Sequence, residues 1–153
     1  MNDVIKRARE MVEAKAPFLH LGRDANGIDC VGLLMYAYQY PQSDVPAYPR
    51  DPHKGAIDRE LERIFGLPLQ TAVVERGGLC TSPIDARQLR EGDVVSMQYR
   101  GPSRHVGIIA NHPTLPGELS LIHTDSMVER ATEHRLDEMW INRIVKVYRW
   151  SAK

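Results

Sequence analysis

Hydrophobic spacing changes period once along this chain, and that change constrains the fold more than any single motif. Up to Phe65 the apolar residues recur at three- and four-residue steps, the spacing of one helix face. From about residue 71 they alternate or gather in short β-branched runs broken by Gly and Pro, the pattern of strands. Asn2 to Ala16 reads as a helix with Val4, Ala8, Met11 and Val12 on one face and Pro17 as its stop. Phe18 to Gly27 reads as a loop, and a second helix is expected from Asp29 or Cys30 to Tyr40, with Asp29 suited to the N-cap. Lys54 to Phe65 is a third, ended by Gly66. Strands are expected over Asp93–Tyr99, Arg104–Asn111, Leu119–Thr124 and Ile144–Trp150, with a short helix over Leu136–Asn142. Helices first and strands afterwards predict an α+β domain, its N-terminal helices packed on one face of an antiparallel sheet.

The 153 residues match the commonest domain size, so residues 1–153 are expected to form a single domain. Four of the chain's ten prolines fall between Pro41 and His53, which excludes regular helix or central strand there. An ordered surface loop is expected instead. Twenty basic residues balance twenty acidic ones, which argues against nucleic acid or an anionic membrane as a partner held by bulk charge. The longest apolar run, Val31 to Met35, falls far short of the ~20 residues of a membrane span. The first residues alternate charge with apolar side chains and lack the apolar stretch of a secretory signal, so cytoplasmic synthesis is expected. Two cysteines, Cys30 and Cys80, do not make a disulfide framework.

Cys30 stands where a turn feeds an apolar helix. Unpaired amides and the positive dipole end at such a start favour thiolate over thiol. Asp29 opposes this if its charge faces the sulfur, so it is expected to turn away as a cap. His105 and His123 lie in strands joined by the turn-rich His112–Gly117 segment, and their positions are centred on residue 114 inside it. They are therefore expected to be near cross-strand neighbours, with Gly107 leaving space beside His105. A thiol, an imidazole to take its proton and a second polar group to orient that imidazole make up a cysteine nucleophile site. A metal-binding domain using Cys30, His105 and His123 to hold zinc is a lesser alternative, since no Cys-x-x-Cys or His-Glu-x-x-His spacing supports it. Cys80 has no partner pattern, and His53, His112 and His134 read as surface residues.

Four ordered blocks add a resemblance. Gly27-Ile28-Asp29-Cys30-Val31-Gly32-Leu33, Glu91-Gly92-Asp93-Val94-Val95, Arg104-His105-Val106-Gly107-Ile108 and Leu121-Ile122-His123-Thr124 resemble, in order and spacing, the motifs of the NlpC/P60 family of papain-like cysteine peptidases. The resemblance runs from about Pro17 to the end. It implies a papain-like fold with the nucleophile at a helix N-terminus, no cofactor, and Cys30, His105 and His123 as the catalytic residues. The implied substrate is a peptidoglycan stem peptide, cut between γ-D-glutamyl and a diamino acid. Phe18 stands where the family often carries a Tyr twelve places before the nucleophile, and Val31 where Ser is commoner. Phe18, His20, Arg23 and Asp29 are the candidate substrate-binding residues. The Cys-Val-Gly variant and the segment from Glu133 to Arg149 are similar to the phage-tail branch, which implies tail proteins as partners and action at the cell wall. It also leaves open a tail-assembly protein that keeps the fold with little hydrolysis.

Overall fold

The computed structural model describes residues 2–39, 56–75, 80–98, 104–124 and 127–150. The proline-rich segment 41–53 lies outside them. Helix α1 (Asn2–Glu13) buries Val4, Ile5, Ala8 and Met11, and it ends before Ala16. Lys15 adopts a left-handed φ of 52°, and the amides of Lys15 and Ala16 turn back to the carbonyls of Val12 and Met11. That pair of bonds closes the helix before Pro17 is reached. The expected loop then holds a small hairpin, β1 (Arg23–Asp24) and β2 (Gly27–Ile28). Helix α2 (Cys30–Tyr38) follows directly, capped by Asp29 as expected. Helix α3 (Ala56–Phe65) buries Ile57, Leu61, Ile64 and Phe65.

The remaining elements are short strands, a 3-10 turn (Ala86–Gln88) and one short α-helix: β3 (Gln70–Thr71), β4 (Val73–Val74), β5 (Cys80–Ser82), β6 (Val94–Gln98), β7 (Arg104–Asn111), β8 (Leu119–His123), β9 (Thr132–Arg135), α4 (Glu138–Ile141) and β10 (Ile144–Tyr148). Six of them form one antiparallel sheet in the order β3-β10-β6-β7-β8-β9, and β4 pairs separately with β5. Sequence periodicity missed β9, because Thr132-Glu133-His134-Arg135 contains no apolar residue to alternate. The β10 strand stops at Tyr148, short of Trp150. Just beyond its end Arg149 turns to Asp93, with Nε and Nη2 donating at 2.7 and 2.9 Å to a carboxylate that is buried where β6 begins.

Strand alternation divides the core in two. Val94, Val106, Ile108, Ala110, Ile122 and Tyr148 face α1, α2 and α3, so the helices do cover one side of the sheet. Val95, Met97, Ile109, Leu121 and Val147 face the other way, against Ala72, Ile84, Leu89 and Leu136. His105, His123 and His134 belong to this second face by register. The β7–β8 ladder pairs Ile108 with Ile122 and Ile109 with Leu121, so it is centred on residue 115 and not 114. One further step sets Gly107 opposite His123, which leaves His105 two places along and on the same side. Gly107 does not leave open space: a Cβ there would lie 2.6 Å from Leu121 Cδ1 and 3.3 Å from Met97 Cε, which fill it.

Candidate active site

Cys30 is the first residue of α2, half-buried and outside any disulfide. The turn before it is built around the buried Asp29 carboxylate. Asp29 Oδ1 accepts from the amide of Gly32 at 2.7 Å and from Arg23 Nη1 at 3.1 Å, while Oδ2 accepts from the amide of Leu21 at 2.8 Å. One side chain thus caps the helix and fastens the loop that precedes it. Leu21 is held in the left-handed region at φ 66°, an expensive conformation for a non-glycine residue, and its bond to Asp29 offsets that cost. Arg23 also donates to the carbonyl of Gly22 at 3.0 Å, and His20 Nδ1 lies 4.0 Å from Asp29 Oδ2. Arg23 and His20 therefore gather on Asp29. Phe18 is half-buried, its backbone bridged to Ile28 and its amide donating to the carbonyl of Glu129 at 2.8 Å.

Gly32 lets the loop come this close. A Cβ on Gly32 would run into the carbonyl oxygen of Gly22, which is backbone and has no rotamer in which to retreat. The Gly in Cys-Val-Gly is therefore a packing requirement of the helix start.

On the sheet, His105 and His123 are both buried, and His105 Nε2 lies 2.8 Å from His123 Nδ1. The rings meet edge to face, with centroids 5.0 Å apart and planes at 75°. Diagonal neighbours on adjacent strands are within reach of ring-sized side chains, which explains how two residues offset by two places still touch. The line continues beyond the pair. His123 Nε2 lies 2.7 Å from His134 Nε2, and His134 Nδ1 lies 2.9 Å from the carbonyl oxygen of Arg135. His134, expected at the surface, is instead half-buried on β9 beside His123. Trp140 of α4 packs on both rings, 4.9 Å from each centroid, with the Arg143 guanidinium 4.8 Å from its own.

This enclosure has an electrostatic consequence. Burial, followed by the neighbouring His105 and His134, pushes the pKa of His123 down from 6.5 to about 2, so the ring stays neutral across the physiological range. His112 has a local task of its own, accepting the amides of Thr114 and Leu115 at 3.2 and 3.1 Å within the β7–β8 turn. Cys80 sits on β5, half-buried against the second core. His53 lies outside the described residues. Among those residues no group of three or more His, Cys, Asp or Glu side chains is arranged to hold a metal ion. No helix among them is long and apolar enough to cross a membrane.

Comparison with solved structures finds the P60 domain of an antigen from M. avium subspecies paratuberculosis, 18% identical with a TM-score of 0.48, covering 97% of this chain and 92% of that one. It also finds the peptidoglycan hydrolase RipB of Mycobacterium tuberculosis, 17% identical with a TM-score of 0.48, covering 97% of this chain and 63% of RipB. Comparison with curated protein sequences gives no match. The NlpC/P60 family matches residues 15–149, from the end of α1 to the Arg149 that closes on Asp93. A match of that extent takes in every element after the first helix, and the chain belongs to the NlpC/P60 family.

Proposed function

We propose that this chain is a thiol-dependent peptidoglycan hydrolase, a cysteine endopeptidase acting on stem peptides at the bond between γ-D-glutamyl and a diamino acid. The observation that carries the reading is the 2.8 Å contact between His105 and His123 in a family member whose Cys30 opens a helix. Cys30 is the nucleophile. His105 takes the thiol proton, and the sulfur adds to the γ-glutamyl carbonyl carbon. The Cys30 amide is one donor to the oxyanion. His105 then returns its proton to the departing amine, and water attacks the thioester to release the acid and restore the thiol. His123 orients His105.

The stem peptide is assigned to the side of the loop 18–23. There Phe18 and His20 line the approach, while Arg23 and Asp29 hold its shape through their ion pair. Phe18 supplies apolar contact in place of a phenol. A phage-tail setting, with tail proteins as partners, rests on the Cys-Val-Gly variant and the C-terminal segment. An assembly protein with little hydrolysis is the competing reading. Zymography on peptidoglycan separates them: the native chain clears the wall and Cys30→Ala does not. Mass spectrometry of the digest should show stem-peptide fragments ending in γ-D-glutamate. Equal clearing by both proteins, or intact muropeptides, would defeat the proposal.

A further inference from the structure

Working back from one backbone carbonyl assigns a proton to every ring in the histidine line. The carbonyl oxygen of Arg135 can only accept, so His134 Nδ1, 2.9 Å away, carries the hydrogen. In a neutral imidazole the other nitrogen is then the acceptor, and His134 Nε2 takes the N–H of His123 Nε2 at 2.7 Å. His123 Nδ1 is left as an acceptor in turn, and His105 Nε2–H donates to it across 2.8 Å. The basic nitrogen of His105 is then Nδ1. The reverse order would need a second proton on His134.

We propose that His134 is a positioning residue, which with the Arg135 carbonyl fixes the tautomers of His123 and His105 and so makes Nδ1 of His105 the base. This rests on the reading of Cys30 and His105 as thiol and base. Three observations support it besides the distances. His134 and His123 occupy diagonal positions on paired strands, with Leu121 opposite His134 and Thr132 opposite His123, so the backbone holds their spacing. Trp140 packs on both rings and limits their rotation. His123 resists protonation, so it transmits hydrogen-bond direction without taking a charge itself.

The test is long-range 1H–15N correlation of the histidine rings in the full chain at neutral pH, for the native protein, His134→Gln and His134→Phe. The native spectrum should show His105 with Nδ1 bare and Nε2 protonated. His134→Gln keeps an accepting oxygen and should keep that tautomer, whereas His134→Phe should give a mixture. On a stem-peptide substrate kcat should fall about tenfold in His134→Phe with KM unchanged, and recover in His134→Gln. Near-UV circular dichroism checks that the variants fold. If His134→Phe does not fold, the native and His134→Gln spectra decide the matter alone. A proton on His105 Nδ1 in the native chain, or an unaltered tautomer in folded His134→Phe, overturns the proposal. Bare Nδ1 in a protein that fails to cut the wall would support the histidine line while removing the hydrolase reading.

Discussion

The carbonyl oxygen of Gly22 occupies the space into which a Cβ on Gly32 would project. A loop and the first turn of α2 are thereby locked face to face, with Asp29 bonded to both. Gly32→Ala should force them apart and cost about 1–3 kcal/mol, the usual range for overpacking against atoms that cannot yield. Urea denaturation measures the loss. An unchanged midpoint would mean that the loop shifts without penalty.

Asp29 should be more sensitive to truncation than to loss of charge. Asp29→Ala leaves the amides of Leu21 and Gly32 without their acceptor and should destabilise by about 2 kcal/mol. Asp29→Asn keeps an oxygen for one of them and should cost less. Equal losses in thermal or urea unfolding would place the value of this residue in its ion pair with Arg23 and not in the cap.

The buried His123 should make the fold acid-sensitive. Its folded pKa of about 2 lies below the ordinary 6.5, so between those values the unfolded chain binds a proton that the folded chain refuses. Stability is then complete above 6.5 and falls as pH drops toward 2, by up to about 1.4 kcal/mol per pH unit. His123→Gln should flatten that part of the pH–stability curve. Parallel curves for the two proteins would show that the ring accepts a proton without unfolding.

The two thiols should differ in reactivity. Cys30 at a helix start should react with iodoacetamide in mildly acidic buffer well before Cys80 on β5, and His105→Gln should narrow the difference. Peptide mapping by mass spectrometry reads both sites in one sample. Equal rates in the native chain would remove the case for an activated Cys30.

Helix-first order, the Asp29 cap and the cross-strand approach of His105 to His123 were legible because each rests on local spacing or a single turn. The face shared by the two histidines was not, since a ladder centred on residue 114 or 115 sets both rings on one side of the sheet and a centre halfway between would part them, a half-step that only the turn decides. His134 and Trp140 were missed for another reason. A strand of Thr, Glu, His and Arg carries no hydrophobic rhythm, and only the pairing of β9 with β8 reveals which of its side chains turn inward. Alternation sends Glu133 to the helix side, where it meets Arg9 at 2.9 Å, and His134 to the other.

The imidazole line crosses β7, β8 and β9, so its continuity depends on three strands being zipped at one alignment. A slip of one place on the outermost of them would carry His134 to the opposite surface and cut the line from its carbonyl anchor. A chain misaligned at that edge would keep thiol, base and orienting ring yet lose the group that sets their protons, so faithful closure of the sheet's rim tunes the chemistry at its centre.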